Sequence, residues 1–225
     1  MYKKITHNIV EEHFDHPAAT HMKYSMDCNP PIQPTMPDTK SMVQLKLDSR
    51  TLFGNLVNSV RSLIVSITDN GPDQKVIEDQ LFKDIYALSE VVSVFYGETA
   101  GKRFDEHLKA IATTLANIVV IIKSGKSITE QKAMLEVYIK DLAKLLDNAN
   151  MRYWPELTVI GVLNKVADQW ITQATAREKK DYPADLASSK IVNEIMVTGS
   201  SDGAPSFADI FSDGVIQQFP SKFKL

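Results

Sequence analysis

Histidines and carboxylates, the side chains that most often bind transition metals, are concentrated near the N-terminus of this 225-residue sequence. They are His7, His13, His16 and His21, with Glu11, Glu12 and Asp15. A zinc site needs three or four such ligands that converge on one tetrahedral point. Pro17 disrupts any helix that would align Glu12 with His16, and the spacing matches no established ligand motif. We therefore interpret this cluster as a solvated polar segment.

Two other polar residues are expected on inward faces of helices. His107 lies at helical spacing from Phe104 and Ile111, which places all three on one face. Arg61 stands in the same relation to apolar neighbours on an earlier helix. A buried arginine needs a carboxylate, because an isolated buried charge is very costly. The candidate partners for an inward polar network are Asp84, Glu90 and Asp147.

These inward residues allow two interpretations. They could line a pocket for a metal or a small ligand, with His107 as a metal ligand and Arg61 beside it. They could also form a structural network inside the protein. We favour the structural network.

Other kinds of active site find little support. The single cysteine, Cys28, lies in a proline-rich stretch without the helix N-terminus that activates a thiol. The sequence has no nucleophile elbow, P-loop, dinucleotide-binding glycine motif, zinc-protease motif, EF-hand loop or CxxC pair. The glycines from Gly199 to Gly203 follow no expected strand, so this segment is interpreted as a linker. We predict no cofactor, and the balance is against an enzyme.

Composition limits the partners and the compartment. A net charge of −3, and no Lys/Arg run longer than two, predict no nucleic-acid partner. No apolar stretch approaches the roughly 18 residues that span a bilayer, so no membrane partner is expected. The segment Met1–Ile5 is followed by histidine and glutamate, unlike a signal peptide. With one cysteine, these features predict a cytoplasmic location or a place inside an assembled particle.

Residues 1–47 differ in composition from the rest of the chain. They contain five of the ten prolines, five of the eight methionines and four of the five histidines. Each proline removes a backbone donor and favours extended geometry in the residue before it. We therefore predict an extended N-terminal arm that contacts a protein partner or other copies of the chain. Its central residues are Pro30, Pro31, Pro34 and Pro37.

From residue 48 onward, apolar residues recur at three- and four-residue spacing, which indicates amphipathic helices. Asp48 or Ser49 could cap the first of them, and breaker residues such as Gly97 separate later ones. The last helix is expected over residues 207–218. No segment alternates as a strand does. The sequence predicts an all-α, antiparallel bundle of about six or seven helices over residues 48–225.

Several short segments carry a resemblance to a known family. They are Leu52-Phe53 with Arg61 and Ser66-Ile67, Val94-Phe95-Tyr96-Gly97-Glu98-Thr99-Ala100-Gly101, Glu106-His107-Leu108, Leu145-Leu146-Asp147-Asn148-Ala149-Asn150 and Phe211-Ser212-Asp213-Gly214-Val215-Ile216-Gln217-Gln218-Phe219-Pro220. In order and spacing they resemble a family of small uncharacterised helical-bundle proteins common in spore-forming bacteria. Some members of that family carry an unsupported glycosyltransferase label. The resemblance covers about residues 50–223.

The sequence departs from that family at inward polar positions. Members typically have a glutamate and a histidine on the first helix, where this chain has Gly54 or Asn55, and Leu56. They also tend to have a histidine on the fifth helix, near Val162–Lys165 here. Only Arg61 and His107 of the inward polar set are retained. If the family binds a ligand in its bundle, the resemblance implies that part of the site is lost here.

Two hypotheses of function follow. The first is a non-catalytic structural or assembly protein that makes contacts through its arm, such as a component of a virus particle or another large complex. The arm supports it, because such a segment cannot alone bury enough surface to offset its ordering entropy. The second is a metal- or small-ligand-binding bundle, a diverged enzyme, that uses His107 and Arg61. We favour the first.

Overall fold

A computed structural model describes residues 39–223, and most of the predicted arm lies outside this range. The described residues form seven α-helices, a π-helix at Glu194–Thr198 and a 3₁₀ turn at Pro220–Phe223, with no strand among them. The α-helices are α1 (Lys40–Asp69), α2 (Gln74–Tyr96), α3 (Glu98–Lys123), α4 (Thr129–Asn150), α5 (Glu156–Glu178), α6 (Tyr182–Asn193) and α7 (Phe207–Gln218). The predicted all-α bundle is confirmed.

Helix α1 begins eight residues before the predicted cap at Asp48. Its N-cap is Thr39, whose hydroxyl oxygen accepts a hydrogen bond from the Met42 backbone N–H at 3.3 Å. The same hydroxyl donates to the carbonyl of Phe223 at 2.8 Å. Met42 and Leu45 pack against the core. Residues 40–47, which the composition of the N-terminal region assigned to the arm, are therefore part of the bundle.

Consecutive helices pack in antiparallel pairs. Ser59 of α1 hydrogen-bonds Asp84 of α2, at positions equally distant from the turn that joins them. Helices α2 and α3 meet at Gly97, which has a φ of 90° that suits glycine. Further along this pair, a Cβ on Gly101 would overlap the Ser93 hydroxyl. The glycine therefore permits the close approach of α2 and α3.

Helix α7 is held by a group of aromatic side chains that we call the aromatic joint: Tyr96, Trp154, Phe211 and Phe219. The buried Trp154 ring stacks on Phe211 with centroids 5.2 Å apart. Its indole N–H donates to the carbonyl of Ile210 at 3.1 Å. Tyr96 packs against both Trp154 and Phe219, and burial raises its pKa to about 12. The joint therefore connects the end of α2, the α4–α5 turn and α7.

The centre of the bundle contains a small apolar cavity. Its volume is about 40 Å³, and its lining comes from α1, α3, α4, α5, α7 and the π-helix. Every lining side chain is apolar, from Phe53 and Phe104 to Trp170 and Met196. A water molecule there would find no polar partner, so the cavity is a packing void. A void of this size costs about 1 kcal/mol of stability.

Within residues 39–223, no helix combines the length and the apolar composition needed to cross a bilayer.

We predict that Gly214→Ala destabilises the protein through the aromatic joint. A Cβ at this position would lie 2.5 Å from Trp154 Nε1 and 2.8 Å from Trp154 Cε2. The overlap should lower the free energy of unfolding by about 1–3 kcal/mol, measured by urea denaturation. Gly161→Ala is the matched control, since a Cβ there has no described atom within 4 Å apart from the adjoining residues and backbone of its own helix. It should stabilise α5 by about 0.5–1 kcal/mol, and equal effects of the two changes would contradict the prediction.

Candidate functional site

Arg61 is paired with a carboxylate that the sequence did not indicate. Its guanidinium donates to both carboxylate oxygens of Asp185, at 2.9 Å from Nη1 and 3.4 Å from Nη2. Asp185 lies on α6, 124 residues away in sequence, and is 2% exposed. This bidentate geometry is the stronger form of an ion pair. It links α1 directly to α6.

A second arginine extends the pair into a four-residue charge network, defined by Arg61, Asp69, Arg177 and Asp185. Arg177 of α5 donates to Asp185 at 3.1 Å and to Asp69 of α1 at 2.5 Å. Its guanidinium also lies 5.5 Å from the centre of the Tyr182 ring. The formal charges of the network, two positive and two negative, cancel. Three helices are joined without leaving a net buried charge.

The turn between α5 and α6 brings the network together. Lys180 has a φ of 59°, in the left-handed region where helices commonly end. The side chain of Asp181 then caps α6 by accepting from the Ala184 backbone N–H at 3.2 Å. Asp185 consequently faces back towards Arg177, eight residues earlier.

The network controls the ionisation of Asp185. Burial raises the pKa of this carboxyl, but hydrogen bonds from Arg61 and Arg177, with Coulomb attraction to Arg61, together outweigh burial and lower it. Gln173 is 1% exposed, and neither of its amide atoms has full hydrogen-bond geometry with a described residue. Asp185 therefore remains ionised at neutral pH, where its charge is needed.

The three carboxylates proposed as partners of Arg61 lie elsewhere. The buried Asp84 accepts from Ser59 and, at 2.9 Å, from Gln80. Asp147 accepts from the backbone N–H of Glu156 at 3.0 Å and so supports the start of α5. Asp84 therefore joins α1 to α2 and Asp147 supports the α4–α5 turn, so the two do not form a shared network with Arg61.

Glu90 lies at the surface, in a groove between α2 and α3. The groove has a volume of about 540 Å³ and is lined by Tyr86, Ser89, Glu90, Ser93, Val94, Glu98, Lys102 and Asp105. Its carboxylates outnumber its single lysine. Hydrogen bonding to Glu90 raises the pKa of Tyr86. Glu90 is thus part of a solvated polar face.

His107 is half-buried on α3. Within residues 39–223, no group of three or more His, Cys, Asp or Glu side chains is arranged to hold a metal ion. The residue that the sequence singled out as a metal ligand therefore lacks two further protein ligands in that part of the chain. The histidine cluster at His7–His21, Cys28 and the prolines Pro30, Pro31, Pro34 and Pro37 lie outside the described residues.

Asp185 and Arg177 were missed by sequence reasoning, although a signal existed for one of them. Asp185 precedes the buried residues Ser188 and Val192 by three and seven positions. This is the same helical spacing that marked Arg61 as inward-facing. Arg177 had a weaker signal, because it lies in the last turn of α5, where basic residues are common.

Three of the segments that carry the family resemblance meet in the folded chain. Tyr96 donates to the side-chain oxygen of Gln218 at 2.7 Å, and Gln218 donates to the carbonyl of Ala149 at 3.0 Å. Asn150 donates to the carbonyl of Gly214 at 2.9 Å. Their polar groups are thus engaged in joining the ends of α2 and α4 to α7.

Comparison with known proteins found no matching family model, no matching curated protein and no matching solved structure. The resemblance to the bacterial helical-bundle family therefore stays a prediction.

We predict that Asp185→Asn lowers the free energy of unfolding by about 3 kcal/mol at pH 7, because two arginines lose their shared carboxylate. Since the folded-state pKa of Asp185 is lowered, its contribution is present above the unfolded pKa of about 3.9. It is lost as the pH falls through the folded value. Urea unfolding at a series of pH values from 7 downwards should show the difference between the variant and the original chain beginning to shrink below about pH 3.9.

Asp168→Asn is the control for this experiment. Asp168 pairs with Lys132 at 2.8 Å, but its side chain is 56% exposed. We expect a loss of less than about 1 kcal/mol, as for other exposed ion pairs. If both variants lose the same stability at pH 7, the network does not have the role assigned to it.

Because His107 has no converging ligands within residues 39–223, we expect any zinc or iron measured in the purified chain to be unchanged by His107→Ala. Inductively coupled plasma mass spectrometry of both proteins provides the measurement. Stoichiometric metal that disappears in the variant would support the metal-binding hypothesis instead.

Proposed function

We propose that this chain is a non-catalytic structural or assembly protein, in which the helical bundle is a rigid body and the N-terminal segment makes the contacts. The observation that carries the proposal is the charge network. Arg61, the inward cation that sequence analysis offered for ligand binding, has both ends of its guanidinium on Asp185. An active site needs polar groups that remain available to substrate, and this group is committed to helix packing.

The other inward polar groups support the same proposal. Asp84 is held by Ser59 and Gln80, and Asp147 accepts a hydrogen bond from the backbone N–H of Glu156 at the start of α5. The central cavity is apolar and small, unlike the larger pockets with a few convergent polar groups that bind small molecules. Most of these inward polar side chains within residues 39–223 therefore stabilise the bundle.

The N-terminal segment is the proposed contact region. Its partner is a protein or further copies of this chain, inside a large assembly such as a virus particle or a cytoplasmic complex. Its prolines support this role, since they reduce the conformational freedom that a segment loses when it binds.

The alternative, a ligand- or metal-binding bundle that uses His107 and Arg61, has less support. Arg61 would have to give up its two hydrogen bonds to the buried Asp185, which would leave that carboxylate with Arg177 as its cationic partner.

Removal of residues 1–38 tests the proposal. The cut leaves Thr39 in place, so that the cap of α1 and its contact with Phe223 remain. We expect the full chain to form a species larger than a monomer and the shortened chain to be monomeric, measured by size-exclusion chromatography with light scattering. Circular dichroism of the shortened chain checks that its helices remain. A monomer in both cases would argue against self-assembly through this segment.

A full-length variant tests the contacts of the N-terminal segment without shortening the chain. Replacement of Pro30, Pro31, Pro34 and Pro37 by alanine should weaken the self-association, because the segment becomes less extended and loses more entropy on binding. Association of unchanged strength would show that these prolines are not the contact region.

A further inference from the structure

Helix α6 continues directly into an unusual turn. After α6, residues Glu194–Thr198 form a π-helix, in which the N–H of Gly199 donates to the carbonyl of Glu194 at 2.9 Å. Such turns are rare and occur frequently at functional sites. This one buries Met196 in the core while Glu194 and Ile195 line a surface pocket.

The pocket lies where the π-helix, α5 and the loop before α7 meet. Its volume is about 200 Å³. The apolar lining residues are Val162, Ile195, Ala204, Pro205, Phe207 and Ile210. Lys165 and Glu194 supply charges of opposite sign, and Ser200 supplies a hydroxyl. The pocket is therefore apolar over much of its lining, with both a cation and an anion beside it.

The wall of the pocket is held in shape by the loop itself. The Ser200 N–H donates to the carbonyl of Ala204 at 3.0 Å, and the Gly203 N–H donates to the carbonyl of Ser200 at 3.0 Å. Gly199 has a φ of 76°, and a Cβ there would lie 2.7 Å from the Ala204 carbonyl oxygen. Binding would thus meet a preformed surface, which reduces its entropic cost.

The two charges have not neutralised each other. No ion pair within residues 39–223 joins Lys165 to Glu194 or to another carboxylate, although both line the same small volume. Among the described residues, Glu194 has one ion-pair partner, Lys190, at 3.9 Å, a distance at which an exposed pair contributes little. The carboxylate and the ammonium therefore remain available to a ligand.

From this arrangement we infer that the pocket binds a free amino acid with an apolar side chain, such as leucine. The ligand carboxylate lies against Lys165, its ammonium lies against Glu194, and its side chain packs on Ile195, Phe207 and Ile210. Charge-assisted hydrogen bonds of this kind are stronger than neutral ones. A simple anion would be repelled by Glu194, and a simple cation by Lys165.

The size of the pocket supports a ligand of this class. Pockets for drug-sized molecules have volumes of about 300–1,000 Å³, so 200 Å³ suits a single amino acid better than a peptide. Few atoms are buried, and we expect a dissociation constant on the order of 1 mM.

Calorimetric titration of the full chain with L-leucine tests the inference, with two analogues of similar shape as comparators. Leucinamide lacks the carboxylate, and 4-methylpentanoate lacks the ammonium. Saturable binding of leucine, with each analogue at least roughly tenfold weaker, is the expected result. No detectable heat with leucine at roughly 20 mM, or equal binding of an analogue, would overturn the inference.

Variants of the two charged residues locate the site. Lys165→Met and Glu194→Gln should each weaken leucine binding roughly tenfold. Lys190→Met, next to Glu194 but outside the pocket lining, should change it less than about twofold. Lys165 is exposed and Glu194 is half-exposed, so the folds should be retained, as circular dichroism will show. Leucine binding that is unaffected by both pocket variants would place the site elsewhere and sink the proposal.

Discussion

Burial of helix α1 is the constraint on which the rest of this structure depends. The helix packs against α2, α3, α5, α6, α7 and the π-helix, and its buried side chains run from Ser49 to Thr68. Two inward polar side chains of this enclosed helix are hydrogen-bonded to neighbouring helices. Ser59 of α1 hydrogen-bonds Asp84 of α2, and Arg61 of α1 hydrogen-bonds Asp185 of α6. The neighbours of α1 are thus positioned by hydrogen bonds as well as by apolar packing.

Two different kinds of contact hold the two halves of α1. Near its C-terminal half, the charge network ties α1 to α5 and α6, and its stability depends on the ionised state of Asp185. Nearer its N-terminus, Phe53 packs edge-on against Phe207 and Phe211, and Phe211 stacks on Trp154. The first contact weakens in acid because it relies on charge, whereas the second has no titrating group near neutral pH.

The two proposals rest on two different kinds of polar group: charged side chains that are paired with one another inside the bundle, and charged side chains beside a surface pocket that have no ion pair between them. In the charge network, Arg61 and Arg177 both donate to the buried carboxylate of Asp185, which supports a structural role for the bundle. At the π-helix, Lys165 and Glu194 line the same pocket without an ion pair between them. A protein can combine these properties, since a rigid bundle keeps a small surface pocket preformed.

The sequence by itself determined the helices, because apolar periodicity and breaker residues are local properties. The expected bounds of α7 match the observed Phe207–Gln218, and the break at Gly97 is where α2 ends. Tertiary structure decided the rest. The start of α1 depends on a cap that also contacts Phe223, 184 residues away, and the partner of Arg61 depends on how α6 folds back at Lys180. The π-helix breaks the local period to bury Met196. Pairing between distant residues and packing against a shared core are properties of the folded chain, and no local pattern encodes them.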